Sequence, residues 1–244
     1  MTVLKAENIT KYYDNAKVIE DISLGLRKGE IVSLLGVSGV GKTTLFNILS
    51  GLLLPDGGRV WLKEEDITGK PGRISYMLQK DLLLPHKKII DNVSLPCVIK
   101  GMKKKEAREK VMPLFQQFGL EGYEYKYPCQ LSGGMRQRAA FLRTYMSSNG
   151  VALLDEPFSS LDTLTKAAMH SWYLEVMKSI DMSTIFITHD IDEAIKLSDR
   201  IYVLSGKPGV IREEICIEQG KPRDEEFQFT EEYIQHKRKI MQSL

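Results

Sequence analysis

Eight consecutive residues constrain this chain more than any others: Gly36-Val37-Ser38-Gly39-Val40-Gly41-Lys42-Thr43. They fit the pattern G-x-x-x-x-G-K-[ST], in which glycines let successive backbone N–H groups turn inward around phosphate oxygens. A compact apolar run, Ile31-Val32-Ser33-Leu34-Leu35, enters the loop, and a helical pattern from Thr44 to Leu53 leaves it. That order sets the loop at a helix N-terminus, where the dipole favours anions. Lys42 then offers a cation to the β- and γ-phosphates, and the Thr43 hydroxyl is a ligand for Mg²⁺. Thr44 is grouped with the loop as a nucleotide contact. A short apolar strand feeding such a loop belongs in a buried parallel sheet, so the fold class is α/β.

A second apolar run, Val151-Ala152-Leu153-Leu154, delivers Asp155 and Glu156. Open α/β sheets bind ligands at the C-terminal ends of their strands, which places both carboxylates beside the phosphate loop. Asp155 is expected to hold Mg²⁺, directly or through water, and Glu156 to polarise an attacking water.

Around these two strands the pattern divides. Alternating segments with turns at Asp14-Asn15 and Lys28-Gly29-Glu30 read as an antiparallel edge sheet, and Pro55-Asp56-Gly57-Gly58 turns into a strand over Arg59 to Leu62. Between about Asp81 and Gln130 helical spacing takes over, with Ala107, Val111, Leu114, Phe115 and Phe118 on one face of a helix from Lys103 to Gly119. The charged run from Lys103 to Lys110 reads as the solvated face of that helix. Strands return at Thr184–Ile187 and Ile201–Leu204, with a helix from Asp162 to Ser179 before them. Early acids (Glu231, Glu232) and late bases (Lys237 to Lys239) suit a helix in the tail. The expected organisation is one unit over 1–244, with a core from 1–80 and 131–215, a helical insertion at 81–130 and a tail at 216–244.

Bulk properties exclude some classes. A net charge of +2 gives no reason to expect nucleic acid. No apolar run approaches the roughly 20 residues that span a bilayer, so any membrane role needs a partner that crosses it. Cys97, Cys129 and Cys216 are scattered and form no CxxC pair, which fits reduced, partly buried thiols.

Many machines share the phosphate loop. What narrows the choice is Leu131-Ser132-Gly133-Gly134-Met135-Arg136-Gln137-Arg138, shortly before the Asp-Glu strand. Ser132 reads as an N-cap, and Gly133 and Gly134 expose backbone amides at a helix start, a second anion site in the chain. Two cradles per chain suggest a two-fold dimer in which each completes the other. This octapeptide resembles the signature sequence of ABC ATPases, and the motifs run in that family's order along nearly the whole chain.

The resemblance implies a P-loop NTPase core with an N-terminal antiparallel β-subdomain and an inserted α-helical subdomain, binding ATP and Mg²⁺. It implies a second copy of the chain, with two ATPs sandwiched between copies. Residue by residue, Tyr13 resembles the aromatic that stacks on adenine, with Tyr12 as its rival, since alternation sends one of the two inward. Gln79 resembles the glutamine that ligands Mg²⁺ and senses the γ-phosphate. Ser159-Ser160-Leu161-Asp162 resembles the loop at the dimer interface, and His189 the switch histidine that works with Glu156. Val37 and Val40 depart from the residues common in relatives, but both present only backbone to phosphate.

The same resemblance implies an integral membrane permease as partner, on the cytoplasmic face of the membrane, with an extracytoplasmic solute-binding protein acting indirectly. An apolar groove near Leu82-Leu83-Leu84-Pro85-His86 is expected to receive a helix of that permease. Leu204-Ser205-Gly206-Lys207-Pro208-Gly209-Val210-Ile211 resembles the nitrate/sulfonate/taurine group of importers, which extends to carriers of pyrimidine precursors. A soluble ABC ATPase of translation or DNA maintenance is the alternative. Such proteins carry paired ATPase units or a long coiled coil, and neither is present here.

Overall fold

A computed structural model describes residues 1–223 and 226–244. The chain runs through β1 (Thr2–Tyr13), β2 (Ala16–Arg27), β3 (Ile31–Leu35), α1 (Lys42–Leu49), β4 (Gly57–Leu62), β5 (Glu65–Asp66) and β6 (Ser75–Met77). Helices α2 (Ile89–Ile99), α3 (Lys104–Val111), α4 (Leu114–Gln117) and α5 (Gly133–Ser147) follow. Then come β7 (Val151–Asp155), α6 (Thr163–Ser179), β8 (Ser183–Thr188), α7 (Ile191–Leu197), β9 (Arg200–Ser205), β10 (Val210–Cys216) and α8 (Glu231–Ser243).

Two sheets organise these elements. One is antiparallel, in the order β2-β1-β4-β5. Its first hairpin turns through Asp14 and Asn15, both at positive φ, as a two-residue turn between twisted strands requires. The other sheet runs β10-β9-β3-β8-β7-β6; the five strands from β9 to β6 are parallel and only β10, at one edge, is antiparallel. Strands β3, β7 and β8 are buried along their whole length, which is why they read as unbroken apolar runs instead of alternating ones. Because β3, β8, β7 and β6 are parallel neighbours, the loops that leave them emerge side by side along one edge.

The apolar interior falls into three groups. One fills the space between the sheets, around Ile9, Ile22, Leu34, Phe46 and Ile185. The second gathers the inserted helices onto α5 and α6, with Phe118, Phe141, Trp172 and Tyr173 stacked edge to face. The third joins α7 to the tail through Ile195, Ile215, Tyr233 and Ile240. Arg223 locks that tail: its buried guanidinium donates to the carbonyls of Ile195 and Ser198 at the C-terminal end of α7. Burial pushes its pKa down to about 10.

Several sequence expectations shift. Helix α1 begins at Lys42, earlier than Thr44, and ends at Leu49, because Gly51 takes a left-handed φ of 76° that stops it short of Leu53. The expected helix from Lys103 to Gly119 is two helices, interrupted at Met112-Pro113, where proline cannot bond back to the preceding turn. Cys97 is buried, whereas Cys129 and Cys216 are exposed; all three are free thiols. Leu83 faces the core at 7% exposure, while Leu82 points out at 51%, so the two leucines do not share a surface.

Candidate active site

The phosphate loop leaves β3 and enters α1 with no side-chain cap, Gly41 serving as the cap residue in a left-handed conformation. Only glycine fits at two of its positions. A Cβ at Gly36 would lie 2.4 Å from the Leu204 carbonyl oxygen, and one at Gly41 would lie 2.4 Å from Ile19 Cγ2 while its φ is 106°. At Gly39, with φ 80°, the space is open, as a cradle for an anion needs. Lys42 is buried, and its Nζ donates to the Gly36 carbonyl (2.7 Å) and the Val37 carbonyl (2.9 Å). Burial lowers the pKa of this amine, against the pull of Glu156 and Asp155. The loop thus holds a buried cation tied to its own backbone, beside the open space at Gly39.

One strand along, Asp155 ends β7 and Glu156 follows at φ 45°, a conformation that costs energy for a non-glycine residue and persists at functional sites when neighbours enforce it. Here the enforcing bond is Glu156 N–H to the Ile187 carbonyl of β8 (3.2 Å). The turn aims the carboxylate along the edge, where Gln79 Nε2 donates to Oε2 (3.1 Å) and His189 Nδ1 lies 3.3 Å from Oε1. Gln79 leaves β6 and His189 leaves β8, so three loops converge on one carboxylate. Asp155 accepts from the Tyr76 hydroxyl (3.1 Å), and burial raises its pKa. Burial, followed by Asp155, pushes the Tyr76 phenol up as well.

Most of the expected residues therefore meet: Lys42, Asp155, Glu156, Gln79 and His189 line one edge. Ser132, Gly133 and Gly134 stand in different surroundings. Ser132 caps α5, its Oγ accepting from Met135 N–H (3.3 Å). A side chain at Gly133 would approach Leu161, and one at Gly134 would approach Thr165 and Met169 of α6. Tyr12 and Tyr13 contradict the alternation expected of them. Both are exposed, at 41% and 45%, because register shifts on either side of Lys11 break the strand's two-residue period just before the hairpin.

Some participants carry no local signal. Tyr76 holds Asp155 across two strands, and Ser159 Oγ lies 3.4 Å from Gln79 Nε2. Gln137 Nε2 lies 3.4 Å from Ser160 Oγ, tying the signature helix to the loop after Glu156. Just after His189, Lys166 of α6 bridges Asp190 (2.6 Å), the N-cap of α7, and Glu193 (3.0 Å) within that helix.

Comparison with known proteins gives this edge its context. The ABC transporter family model matches residues 19–159, more than half of the chain. A formylaminopyrimidine import ATP-binding protein of Halalkalibacterium halodurans is 46% identical over 81% of this chain and 77% of its own length. A sulfate/thiosulfate import ATP-binding protein of Agrobacterium fabrum is 34% identical over 91% of this chain and 64% of its own. Among solved structures, the dimeric post-hydrolysis state of the ATP-binding cassette MJ0796 bound to ADP and Pi superposes with a TM-score of 0.74. It is 27% identical and covers 89% of this chain and 100% of that one. The chain belongs to the ABC transporter family, as one of its ATP-binding, ATP-hydrolysing cassettes.

Proposed function

We propose that this cassette powers an importer of a small polar solute, working as a pair on the cytoplasmic face of the membrane beneath a separate permease. The observation that carries the reading is an open groove of about 570 Å³ lined by Leu78, Leu82, Leu95, Pro96 and Ile99, directly beside Gln79. An apolar groove of this kind suits an amphipathic helix of a partner. Among the described residues no helix is long and apolar enough to cross a membrane; in this reading the separate permease supplies the bilayer-spanning part. The import activities named for the two relatives favour uptake over export. Both the nitrate/sulfonate/taurine-like solutes and the pyrimidine precursors remain within the class, and an extracytoplasmic binding protein would select among them.

The chemistry follows from the edge. Gly36, Val37, Ser38, Gly39, Val40, Gly41, Lys42, Thr43 and Thr44 hold the triphosphate of ATP, and Tyr13 stacks on the adenine. Among the described residues no three acidic, histidine or cysteine side chains converge as a metal cage. Thr43, Gln79 and Asp155 instead offer the few oxygen donors that suit Mg²⁺ shared with phosphates. The ion supplies neutralisation of the phosphate charge when bound. Glu156 orients and polarises the attacking water, and His189 steadies that carboxylate and faces the γ-phosphate. Ser132, Gly133 and Gly134 of the second copy complete the cradle.

Purification of the tagged chain from its native cell in mild detergent tests the transport reading. A co-purifying multi-span membrane protein with an extracytoplasmic binding protein is expected. Ribosomes or DNA-repair factors would replace it with the soluble-ATPase reading. Leu82→Glu is the finer test, because Leu82, not Leu83, faces the groove: transport should fall while ATP binding by the cassette persists.

A further inference from the structure

The segment that joins Gln79 to the inserted helices is held in an unusual way. Leu82 has a φ of 45°, the left-handed region that a branched side chain rarely adopts. Two arginines of α5 hold this turn. Arg143 donates from Nη1 to the Leu82 carbonyl (2.8 Å) and from Nη2 to the Asp81 carbonyl (2.5 Å). Arg136 Nε reaches the Asp81 carboxylate (3.3 Å), whose other oxygen accepts from Leu83 N–H (3.0 Å). Among the described residues Arg143 has no carboxylate within ion-pair distance; its half-buried guanidinium serves two successive main-chain carbonyls at the strained residue. A planar fork with fixed donors is suited to that task, and a lysine would reach only one point.

We propose that Arg143 is a positioning residue for Gln79. By enforcing the left-handed turn at Leu82, it fixes the direction in which the chain returns to Gln79, three residues earlier, and so the approach of Gln79 Nε2 to Glu156. The clamp is anchored on α5, the helix that begins at Ser132 and carries the signature residues. Gln79 is therefore registered against the signature helix as well as against its own strand β6, and movement of α5 is transmitted to the Glu156 carboxylate through one side chain. The inference rests on the proposed role of Gln79 and adds a residue to it.

The test measures ATP turnover by the full chain in the wild type, Gln79→Ala, Arg143→Met, Arg143→Met with Gln79→Ala, and Arg143→Met with Leu82→Gly. Arg143→Met should lower kcat roughly tenfold or more with little change in the KM for ATP, since misplacement of a positioned group falls on the reacting state. In the Gln79→Ala background the same change should cost less than about twofold, the non-additivity of residues acting as a unit. Glycine accepts the left-handed conformation unaided, so Leu82→Gly should restore much of the lost kcat. Arg143→Lys replaces Arg143→Met throughout if the latter does not fold. An undiminished kcat, a loss of equal size in both backgrounds, or a loss that Leu82→Gly does not relieve would each overturn the proposal. A silent Gln79→Ala would instead remove the role of Gln79 itself.

Discussion

The catalytic edge and the inserted helices are built by opposite rules. Along the edge, Glu156 sits at a left-handed φ, Lys42 is desolvated against its own loop carbonyls, and burial raises the pKa of Asp155. Each arrangement costs energy and is held in place by β3, β7 and β8, strands whose sides are fully buried. The inserted helices show the reverse. Asn92 is buried, but its amide satisfies Leu84, Lys87 and Lys88 together, and Asp91 receives a two-pronged bond from Arg108 (2.9 and 2.8 Å). Phe118 closes an aromatic cluster with Phe141 and Trp172. Stability resides in the ordinary packing, and the proposed chemistry in the strained edge.

That contrast sets different consequences for substitutions. Lys42→Met should cut ATP turnover about a thousandfold, the scale on which removal of a transition-state charge acts, while leaving the melting temperature nearly unchanged or raised. A cassette that loses its fold with Lys42 would erase the distinction. Phe118→Ala should do the converse. It should destabilise the chain by about 3 kcal/mol in chemical denaturation, as truncation of a fully buried aromatic does, and leave turnover per folded molecule close to wild type.

A smaller effect sharpens the boundary between the regions. His170 of α6 is buried against Phe158, and burial, then the Lys166 charge, pushes its pKa down to about 4. Lys166, Lys196 and Asp190 act on it, Glu193 Oε1 lies 4.0 Å from its Nε2, and burial raises the Glu193 carboxyl in the opposite sense. An unfolded histidine binds its proton near pH 6.5, well above the folded value, so acid favours unfolding between those limits. Its contribution to stability, complete above the unfolded pKa, should shrink by on the order of 2 kcal/mol from about pH 7 to about pH 5. Stability curves of wild type and His170→Gln should converge as pH falls; parallel curves would show that His170 does not titrate in the folding equilibrium.

The edge was legible in the sequence because each of its loops carries chemistry within a few residues: the glycines of 36–41 with Lys42, the pair Asp155-Glu156, and Thr188-His189 after an apolar run. The inserted helices were legible only as a periodic pattern. Pro113 marked the interruption that the apolar spacing of Val111, Leu114 and Phe115 masked. Tyr12 and Tyr13 failed the alternation rule since a bulge depends on the partner strand and is not written in one strand's pattern. The inward turn of Leu83 depends on packing in the core, and the proposed role of Arg143 on contacts about sixty residues apart, between a side chain and main-chain carbonyls that no residue type announces.

Glu156 is the point on which the edge converges, and its replacement is the most direct measurement. Glu156→Gln keeps the shape and the Gln79 contact but removes the carboxylate that we propose polarises water. Single-turnover ATP hydrolysis should fall by at least about a hundredfold, with nucleotide binding intact and an ATP-dependent dimer accumulating in light scattering. Hydrolysis at the wild-type rate by a folded Glu156→Gln chain would contradict the account.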